Sequence, residues 1–358
     1  MKIKKATKRY ESWLGERLNL IPADLNLKHS RMEEGPFPFL RATYYRWDQI
    51  WRETRADLAK APRVLAVGDL HVENFGTWRD VEGRLIWGVN DFDEAFPMAY
   101  TNDLVRLATS AHLAIMANHL TLAAPDACKS ILAGYVEGLE EGGKPFVLEE
   151  NHKWLRETVT GELRDPVHFW GKMQSLPTLK GEIPKSARKA LEQLLPERRL
   201  IYRIVHRVAG LGSLGRERFV ALADWGTARV AREAKALAPS ACVWANEGKG
   251  PKKLFYDAII TEAVRVPDPF VRLCGRWIIR RLSPHCSRVE LAALPKERDE
   301  ERLLFAMGFE TANIHLGSKD AIKAVRRDLG KRKPDWLHEA TREMGKLVMK
   351  DWEEWKRT

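Results

Sequence analysis

Two carboxylates and one amide follow each other at a spacing that suits phosphoryl transfer. Asp69 and Asn74 lie five positions apart just after the apolar run 64–67, and Asp91 follows a second apolar run at 85–89. We predict that both runs are short strands, which places the three polar side chains at strand ends. Phosphoryl transfer from a nucleotide needs a carboxylate that orients the acceptor hydroxyl, and oxygen ligands for Mg²⁺. We therefore predict Asp69 as a catalytic residue and Asn74 and Asp91 as metal ligands.

Two neighbouring residues extend this candidate site. Asp93 lies two positions after Asp91 and is predicted to assist with a second metal ion. His71 is a second candidate catalytic residue, although a single histidine is more often a hydrogen-bonded structural residue. The alternative for the aspartates is that Asp69 and Asp91 are turn residues that cap strand ends. The occurrence of all three polar residues at this spacing favours a phosphoryl-transfer site over separate turn residues.

The segment 210–215 has the glycine pattern G-x-G-x-x-G and is the second motif that could bind phosphate. In a dinucleotide-binding fold such a motif opens a helix, but here it is followed by the β-prone run 216–222. We therefore predict a β-hairpin whose loop covers phosphates, with a plain glycine-rich turn as the alternative. The predicted nucleotide-binding residues of this loop are Gly210, Gly212, Ser213 and Gly215.

A cation on the next strand would complete such a phosphate site. Residues 227–233 are the candidate third strand, with Arg232 in register and Lys235 just beyond its end. We predict both side chains as nucleotide-binding residues. Glu262, on a helix predicted over 255–266, is the candidate partner for the cation.

Three further polar residues have two interpretations each. Glu310, Asn313 and His315 lie on a predicted helix among apolar residues, where they either line the cleft or pair with one another in the interior. The interior interpretation is favoured. Arg41, in an aromatic stretch at 39–52 predicted as one buried amphipathic helix, either snorkels to the surface or pairs with an acidic loop residue.

Composition limits the class of protein. The 358 residues exceed one typical domain, and 44% hydrophobic with 30% charged residues is typical of a globular chain. With 60 basic and 49 acidic residues the net charge is +11, which suits an anionic ligand and leaves nucleic-acid binding open as an alternative. Four cysteines without a C-x-x-C pair indicate neither a disulfide scaffold nor a zinc site. We expect a cytoplasmic protein with no signal peptide and no membrane partner.

The distribution of predicted helices and strands along the chain indicates an α+β fold with two lobes. Residues 1–195 are predicted as a helical lobe with the catalytic and metal loops, and 196–295 as a β-rich lobe with the glycine loop. Residues 296–358 are predicted as helices that return to the helical lobe. The catalytic loop precedes the glycine loop, so the order is reversed relative to an ordinary kinase, and the lobes are predicted to be circularly permuted.

Several motifs together resemble a bacterial family designated domain of unknown function 2252, which is grouped with kinase-like proteins. The Gly-Asp-Leu-His sequence at 68–71 is also similar to the catalytic loop of the aminoglycoside and choline kinase branch of the kinase-like fold. The segments that carry the family resemblance are 36–41, 68–76, 90–94, 103–107, 210–215 and 307–317. The resemblance implies a protein-kinase-like fold and a nucleotide site, with Asp103 bracing the catalytic loop. Asp103 as a plain helix cap is the alternative.

The leading hypothesis is a kinase-like phosphotransferase that uses ATP and Mg²⁺ and modifies an unidentified hydroxyl acceptor, with a small molecule favoured. An alternative is a nucleotide-binding pseudokinase without turnover. It is motivated by Arg232, where the family commonly has lysine, and by Val67, where related catalytic loops often have histidine. Two further alternatives are a binuclear metallophosphoesterase, suggested by the D-x-H at 69–71, and a basic nucleic-acid-binding protein.

Overall fold

A computed structural model describes residues 1–149, 151–160, 165–286, 288, 291 and 299–357. The helices are α1 (Ile3–Gly15), α2 (Pro22–Glu33), α3 (Pro36–Ala42), α4 (Tyr44–Thr54), α5 (Ala56–Ala59), α6 (Tyr100–Met116), α7 (Ala124–Glu141), α8 (Lys153–Val159), α9 (Pro166–Gln174), α10 (Lys185–Glu192), α11 (Ala241–Ala245), α12 (Tyr256–Glu262), α13 (Glu300–His315), α14 (Lys319–Leu329) and α15 (Trp336–Lys356). The strands are β1 (Arg63–Ala66), β2 (Phe75–Arg79), β3 (Leu85–Val89), β4 (Phe96–Ala99), β5 (Phe146–Val147), β6 (Arg203–His206), β7 (Arg218–Trp225), β8 (Ala228–Ala236), β9 (Arg272–Cys274) and β10 (Trp277–Leu282). The fold is a mixed α+β fold, as predicted.

The strands form three antiparallel sheets. Residues 63–147 carry a β1–β4 pair and a three-stranded sheet in the order β2–β3–β5. The later part of the chain forms a five-stranded sheet in the order β6–β7–β8–β10–β9. Strands β7 and β8 are joined by a tight turn at 226–227, whereas β6 and β7 are joined by the longer segment 207–217, which contains the glycine loop. The predicted hairpin at 216–222 is therefore confirmed as the β6–β7 pair.

Two helices cover opposite faces of the five-stranded sheet. Alternate residues of a strand point to opposite faces, so Val220 and Ala231 bury one face while Phe219 and Trp277 bury the other. Helix α9 packs on the first face through its apolar side chains, and α10 packs on the second. Both helices lie on the N-terminal side of the lobe boundary predicted near 195, yet they pack on the sheet. The boundary predicted at 295–296 lies outside the described residues.

Long helices hold the other half of the molecule together. Helix α13 packs along α7, and α15 packs against α6, so the C-terminal helices return to the first part of the chain. Asp103 lies in the first turn of α6, where a negative charge stabilises the positive end of the helix dipole. Among the described residues, no helix is both long and apolar enough to cross a bilayer.

One helix prediction was wrong in its extent. The aromatic stretch 39–52 forms two helices, α3 and α4, instead of one. The helix is interrupted at Thr43, whose backbone angles of φ −124° and ψ 40° are not helical. The Thr43 hydroxyl donates to the Phe39 carbonyl at 2.7 Å. A threonine hydroxyl bonded to the backbone one turn earlier competes with the helical ladder.

We expect the contact between α9 and the sheet to contribute strongly to stability. Met173 is buried against this sheet face, whereas Lys172 beside it is exposed. Met173→Ala should lower the free energy of unfolding by about 2–5 kcal/mol, because the cavity it leaves is lined by packed apolar side chains. Lys172→Ala should change it by less than about 0.5 kcal/mol. Urea unfolding checks this, and equal effects of the two variants would contradict the packing described.

Candidate functional site

The loop that carries Asp69 is braced by helix α6. The Asp103 carboxylate accepts the backbone N–H groups of Val67 at 2.7 Å and Gly68 at 2.9 Å. It also lies 3.1 Å from His315 Nε2. An aspartate that only capped its own helix would not reach these groups. Asp103 therefore braces the loop, and Asp69 follows directly from a backbone that is fixed at two consecutive residues.

Asp69 is oriented by a buried arginine. Arg106 donates through Nε to Asp69 Oδ1 at 3.0 Å, and its Nη2 contacts the same oxygen. Arg106 also donates to the Leu40 carbonyl at 2.9 Å, and its guanidinium stacks over the rings of Tyr44 and Trp47. Burial raises the pKa of Asp69 to about 6, although the Arg106 charge opposes this rise. The Asp69 side chain remains 20% exposed, so one carboxylate oxygen stays accessible.

The structure brings Asn74 and Asp91 together with Asp69. The Asn74 amide donates to the backbone carbonyls of Asp69 and Asp91, at 3.1 Å in each case. Its Oδ1 accepts the Asp91 N–H at 3.0 Å. The Asn74 side chain thus ties the two predicted loops to one another. The Asp91 side chain is 41% exposed, so its carboxylate can still receive a ligand.

A buried lysine from the five-stranded sheet neutralises the acids of the second loop. Lys235 Nζ lies 3.2 Å from Asp91 Oδ1 and 2.6 Å from Asp93 Oδ2, with a side chain only 2% exposed. Burial alone would raise the pKa of Asp91, but the charges of Lys235, Arg280 and Arg218 and a hydrogen bond with Asp93 together hold that pKa below its usual range. Burial and the neighbouring Asp91 charge raise the pKa of Asp93. Lys235 from β8 and the two acids from the loop after β3, Asp91 and Asp93, therefore form one buried unit of ion pairs.

The structure does not bring Arg232 into this unit. Arg232 Nε donates to the Leu194 carbonyl at 2.7 Å, and its guanidinium stacks over Phe270 on the other face of the sheet. Strand β8 extends to Ala236, three residues beyond the predicted end, so Lys235 lies within the strand. Residues an odd number of positions apart point to opposite faces, which separates Arg232 from Lys235.

The glycine loop lies directly over Asp69. A Cβ atom on Gly212 would lie 3.0 Å from the Arg41 carbonyl oxygen and 3.3 Å from Asp69 Oδ2, so a side chain here would have to push its neighbours aside and glycine is favoured. Gly210 and Gly215 have φ values of +74° and +93°, in the left-handed region. Ser213 Oγ accepts from Arg218 Nη2 at 2.8 Å, which engages this hydroxyl inside the sheet lobe.

Two cations hold the glycine loop against the segments that carry Asp69 and Asp93. Lys28 Nζ donates to the Gly212 carbonyl at 3.1 Å, and burial lowers the pKa of Lys28 to about 8. Arg216 Nη2 lies 3.0 Å from Glu94 Oε1, and its Nη1 lies 3.5 Å from Asp93 Oδ2. The space left between the loop and Asp69 is a cavity of about 70 Å³. A nucleotide triphosphate needs more room, so the loop must open to admit one.

His71 lines the same cavity as a neutral side chain. Burial, together with the charges of Arg41, Arg106 and Arg288, holds its pKa well below the usual value. His71 Nδ1 accepts the Glu73 N–H at 3.2 Å. Because the ring is uncharged at neutral pH, it can accept or donate a hydrogen bond there without adding charge.

The structure decides between the alternative interpretations given above for Arg41 and for the polar residues of α13, and it tests the predicted partner Glu262. Arg41 pairs with Glu73 at 2.5 Å, which confirms pairing with an acidic loop residue. Glu310 accepts from Asn313 at 2.8 Å, and His315 lies 2.8 Å from the Tyr135 hydroxyl, so the interior interpretation is also confirmed. Glu262 is exposed at the end of α12, and no ion pair joins it to Lys235 within the described residues.

Sequence reasoning missed three residues of the site. Arg106 had a local signal, since it lies three positions after Asp103 and so on the same helix face. Arg216 directly follows the last glycine of the loop. Lys28 had no signal, because nothing near it in the sequence relates α2 to the loop at 210–215.

Residues 18–168 match the model of a family described as "Uncharacterized protein conserved in bacteria", the domain of unknown function 2252. The matched segment contains Asp69, Asn74 and Asp91 and ends before the glycine loop. The resemblance inferred from the motifs is thus supported over this part of the chain. Comparison with curated proteins and with solved structures gives no match.

The environment of Asp69 predicts an unusual titration. Its carboxyl should titrate near pH 6, because burial penalises the charged form more than Arg106 stabilises it. Arg106→Gln removes the stabilising charge and should raise that midpoint further, whereas Arg302→Gln on the exposed start of α13 should not change it. Carboxyl-detected NMR with labelled aspartate measures both. A wild-type midpoint near 4 would contradict the described environment.

Proposed function

We propose that this protein transfers a phosphoryl group from ATP, with Mg²⁺, to the hydroxyl group of a small-molecule acceptor. The observation that carries the proposal is the convergence of a glycine loop, a buried lysine and three acidic or amide side chains on one cleft. Gly212 lies over Asp69, while Lys235 contacts Asp91 and Asp93. These parts correspond in type to the phosphate-covering loop, the phosphate-binding lysine and the metal-binding acids of kinases.

The donor set at Asn74 and Asp91 suits Mg²⁺. Both offer oxygen atoms, and Mg²⁺ in nucleotide sites is held by one or two protein side chains with phosphates and water completing its shell. Bound Mg²⁺ and ATP would supply charge neutralisation and the phosphoryl group. Lys235 already balances the charge of Asp91 and Asp93, and it lies where it can exchange part of that role for a phosphate oxygen.

Asp69 is the proposed orienting residue for the acceptor. Its Oδ1 is fixed by Arg106, and its Oδ2 faces the glycine loop, where the phosphates would lie. Above about pH 6 the carboxylate is ionised and can accept the proton of an acceptor hydroxyl. His71 beside it can position that acceptor through a neutral hydrogen bond.

The proposal includes a kinase-like fold with permuted lobes. The glycine loop joins the first and second strands of the five-stranded sheet, and Lys235 lies on the third, which is the arrangement expected of a kinase nucleotide lobe. The catalytic loop precedes this lobe in the chain instead of following it. A circular permutation of the two lobes accounts for both facts.

The alternatives have less support. A pseudokinase was motivated by Arg232 and Val67. Arg232 lies outside the cleft and so says nothing about turnover, which leaves Val67 as the remaining support for that alternative. A binuclear phosphoesterase needs a cluster of metal ligands. Within the part of the chain that the structure describes, no group of three or more His, Cys, Asp or Glu side chains is arranged to hold a metal ion.

Calorimetry with ATP and the rate of ADP formation test the proposal together. Wild type should bind ATP only with Mg²⁺, and Asp91→Asn should weaken binding about tenfold or more, equivalent to at least about 1.4 kcal/mol. Asp224→Asn, at an exposed carboxylate near the end of β7, is the matched control and should bind as wild type. Asp69→Asn should keep binding but slow ADP formation by about 10²–10⁴-fold.

The pH dependence of the rate of ADP formation tests the proposed role of Asp69. Because the carboxylate must be deprotonated to accept a proton, the rate of ADP formation should rise as pH increases through about 6 and then level off. Absence of ATP binding to wild type would overturn the proposal. Mg²⁺-dependent binding with no ADP formation, even when candidate acceptors are added, would favour the pseudokinase alternative.

A further inference from the structure

A second cavity lies on the other side of the metal loop from Asp69. It has a volume of about 260 Å³ and is bounded by β2, β10, α12 and the segment that follows α12. Phe92 forms part of its wall, while the flanking Asp91 and Asp93 face Lys235 and the glycine loop. The cavity shares no lining residue with the site described above. It therefore needs its own explanation.

The most unusual residue of this cavity is Arg265. Its guanidinium stacks on the rings of Trp78 at 4.6 Å and Phe92 at 5.0 Å. It makes no hydrogen bond or ion pair to any residue that the structure describes, and its buried Nη1 has no acceptor. A guanidinium keeps its charge in proteins, so an unpartnered donor in this position is costly unless an anion completes it.

The charge around Arg265 is not balanced by the lining. Arg280 and Arg281 also line the cavity, and Asp268 is the one carboxylate among the lining residues that are described. Asp268 Oδ1 is already used by the Phe270 N–H at 2.9 Å. Three arginines against one aspartate leave two positive charges in excess. Arg281 Nε is a further buried donor without a partner.

Part of this charge is compensated from outside the cavity. Glu233 pairs with Arg280 at 2.8 Å, but it is shared with Arg207 at 2.7 Å and Arg218 at 2.9 Å. One carboxylate that is shared by three guanidinium groups does not neutralise Arg281. Glu310 is the buried acid whose charge acts most strongly on Arg265, but its oxygens accept from the Val89 N–H and the Asn313 amide and form no hydrogen bond or ion pair with Arg265. The cavity therefore presents a positive potential to any ligand that enters.

Apolar side chains form much of the remaining wall, namely Tyr256, Ile260, Pro267 and Val271, together with Phe92. Thr77, Asn90, Thr261 and Cys286 supply uncharged polar groups of the lining. The Trp78 indole N–H is already donated to the Val266 carbonyl at 3.0 Å, so its ring offers only an apolar surface. Such a mixture of apolar walls and a few convergent charged groups is typical of a small-molecule site.

We propose that this cavity binds a small organic anion with a planar apolar body, whose carboxylate or phosphate group pairs with Arg265. The guanidinium fork suits such a group, and the rings of Trp78 and Phe92 hold the fork in place. Phe92 joins this ligand to the loop of Asp91 and Asp93. The proposal does not depend on phosphoryl transfer, because none of the residues that carry it belongs to the Asp69 cavity.

A pair of probes that differ only in charge tests the proposal. Titration calorimetry is performed on the full chain with 2-naphthoate and with 2-naphthamide, which have the same ring body. Wild type should bind 2-naphthoate about tenfold or more tightly than 2-naphthamide, because only the carboxylate pairs with Arg265. Arg265→Gln should abolish this difference. Arg302→Gln is the matched control, since Arg302 also stacks on a tryptophan but is exposed and distant from the cavity.

A second variant keeps the test decisive if Arg265→Gln does not fold. Ile260→Trp fills the cavity without removing a charge and should abolish binding of both probes, with folding checked by the thermal unfolding midpoint. Equal affinity of wild type for the two probes would overturn the proposal. Failure of wild type to bind 2-naphthoate at millimolar concentration would overturn it as well, as would undiminished binding to a folded Arg265→Gln protein.

Discussion

The buried ion cluster of Lys235 with Asp91 and Asp93 is the interaction on which the arrangement of the cleft depends. The lysine comes from the five-stranded sheet and the acids from the loop after β3, so the cluster joins the two halves of the molecule. A buried ammonium without its partners would be far more costly than the pair, because desolvation is repaid only by close opposite charge. Any movement of the sheet against the catalytic loops must therefore supply a new partner for Lys235.

The surrounding contacts orient the rest of the site around this cluster. Asp103 fixes the backbone before Asp69, and Arg106, one turn further along α6, fixes its side chain. Asn74 ties the Asp69 loop to Asp91 through backbone hydrogen bonds. A polar network whose members are each held by several partners is rigid. The carboxylates are therefore positioned before any ligand arrives.

The glycine loop is held to the first part of the chain by Lys28 and Arg216 and by a backbone hydrogen bond from the Ile21 N–H to the Gly215 carbonyl at 2.8 Å. The cavity beneath the loop is small. Glycines with positive φ at both ends give the loop access to backbone conformations that other residues avoid. Binding of an anion would compete for the same two cations, so opening of the loop and ligand binding are expected to be coupled.

Much of this site could be predicted where the signal was local in sequence. The spacing of Asp69, Asn74 and Asp91 and the hairpin at 210–215 needed only neighbouring residues, and the structure brings these segments together. The choice between Arg232 and Lys235 depended on where β8 ends, since a strand three residues longer places Lys235 in the sheet, on the face that meets Asp91.

Other contacts depend on residues far apart in the sequence. The pairing of Lys28 with Gly212 joins residues separated by 184 positions, and pattern reasoning over short windows cannot predict such a contact. The same limit applies to α9, which packs on a sheet formed later in the chain. Local motifs therefore predicted which segments meet in the cleft, whereas the residues that support these segments could be found only from the fold.

We propose that Asp91, Lys235 and the glycine loop together hold the phosphates of a metal-bound nucleotide. A crystal structure with Mg²⁺ and a non-hydrolysable ATP analogue would show where the phosphates bind. We expect the metal on Asn74 and Asp91, and the phosphates between Lys235 and a glycine loop that has moved away from Asp69. A nucleotide bound elsewhere, with the loop still closed over Asp69 and no metal at Asp91, would overturn this proposal.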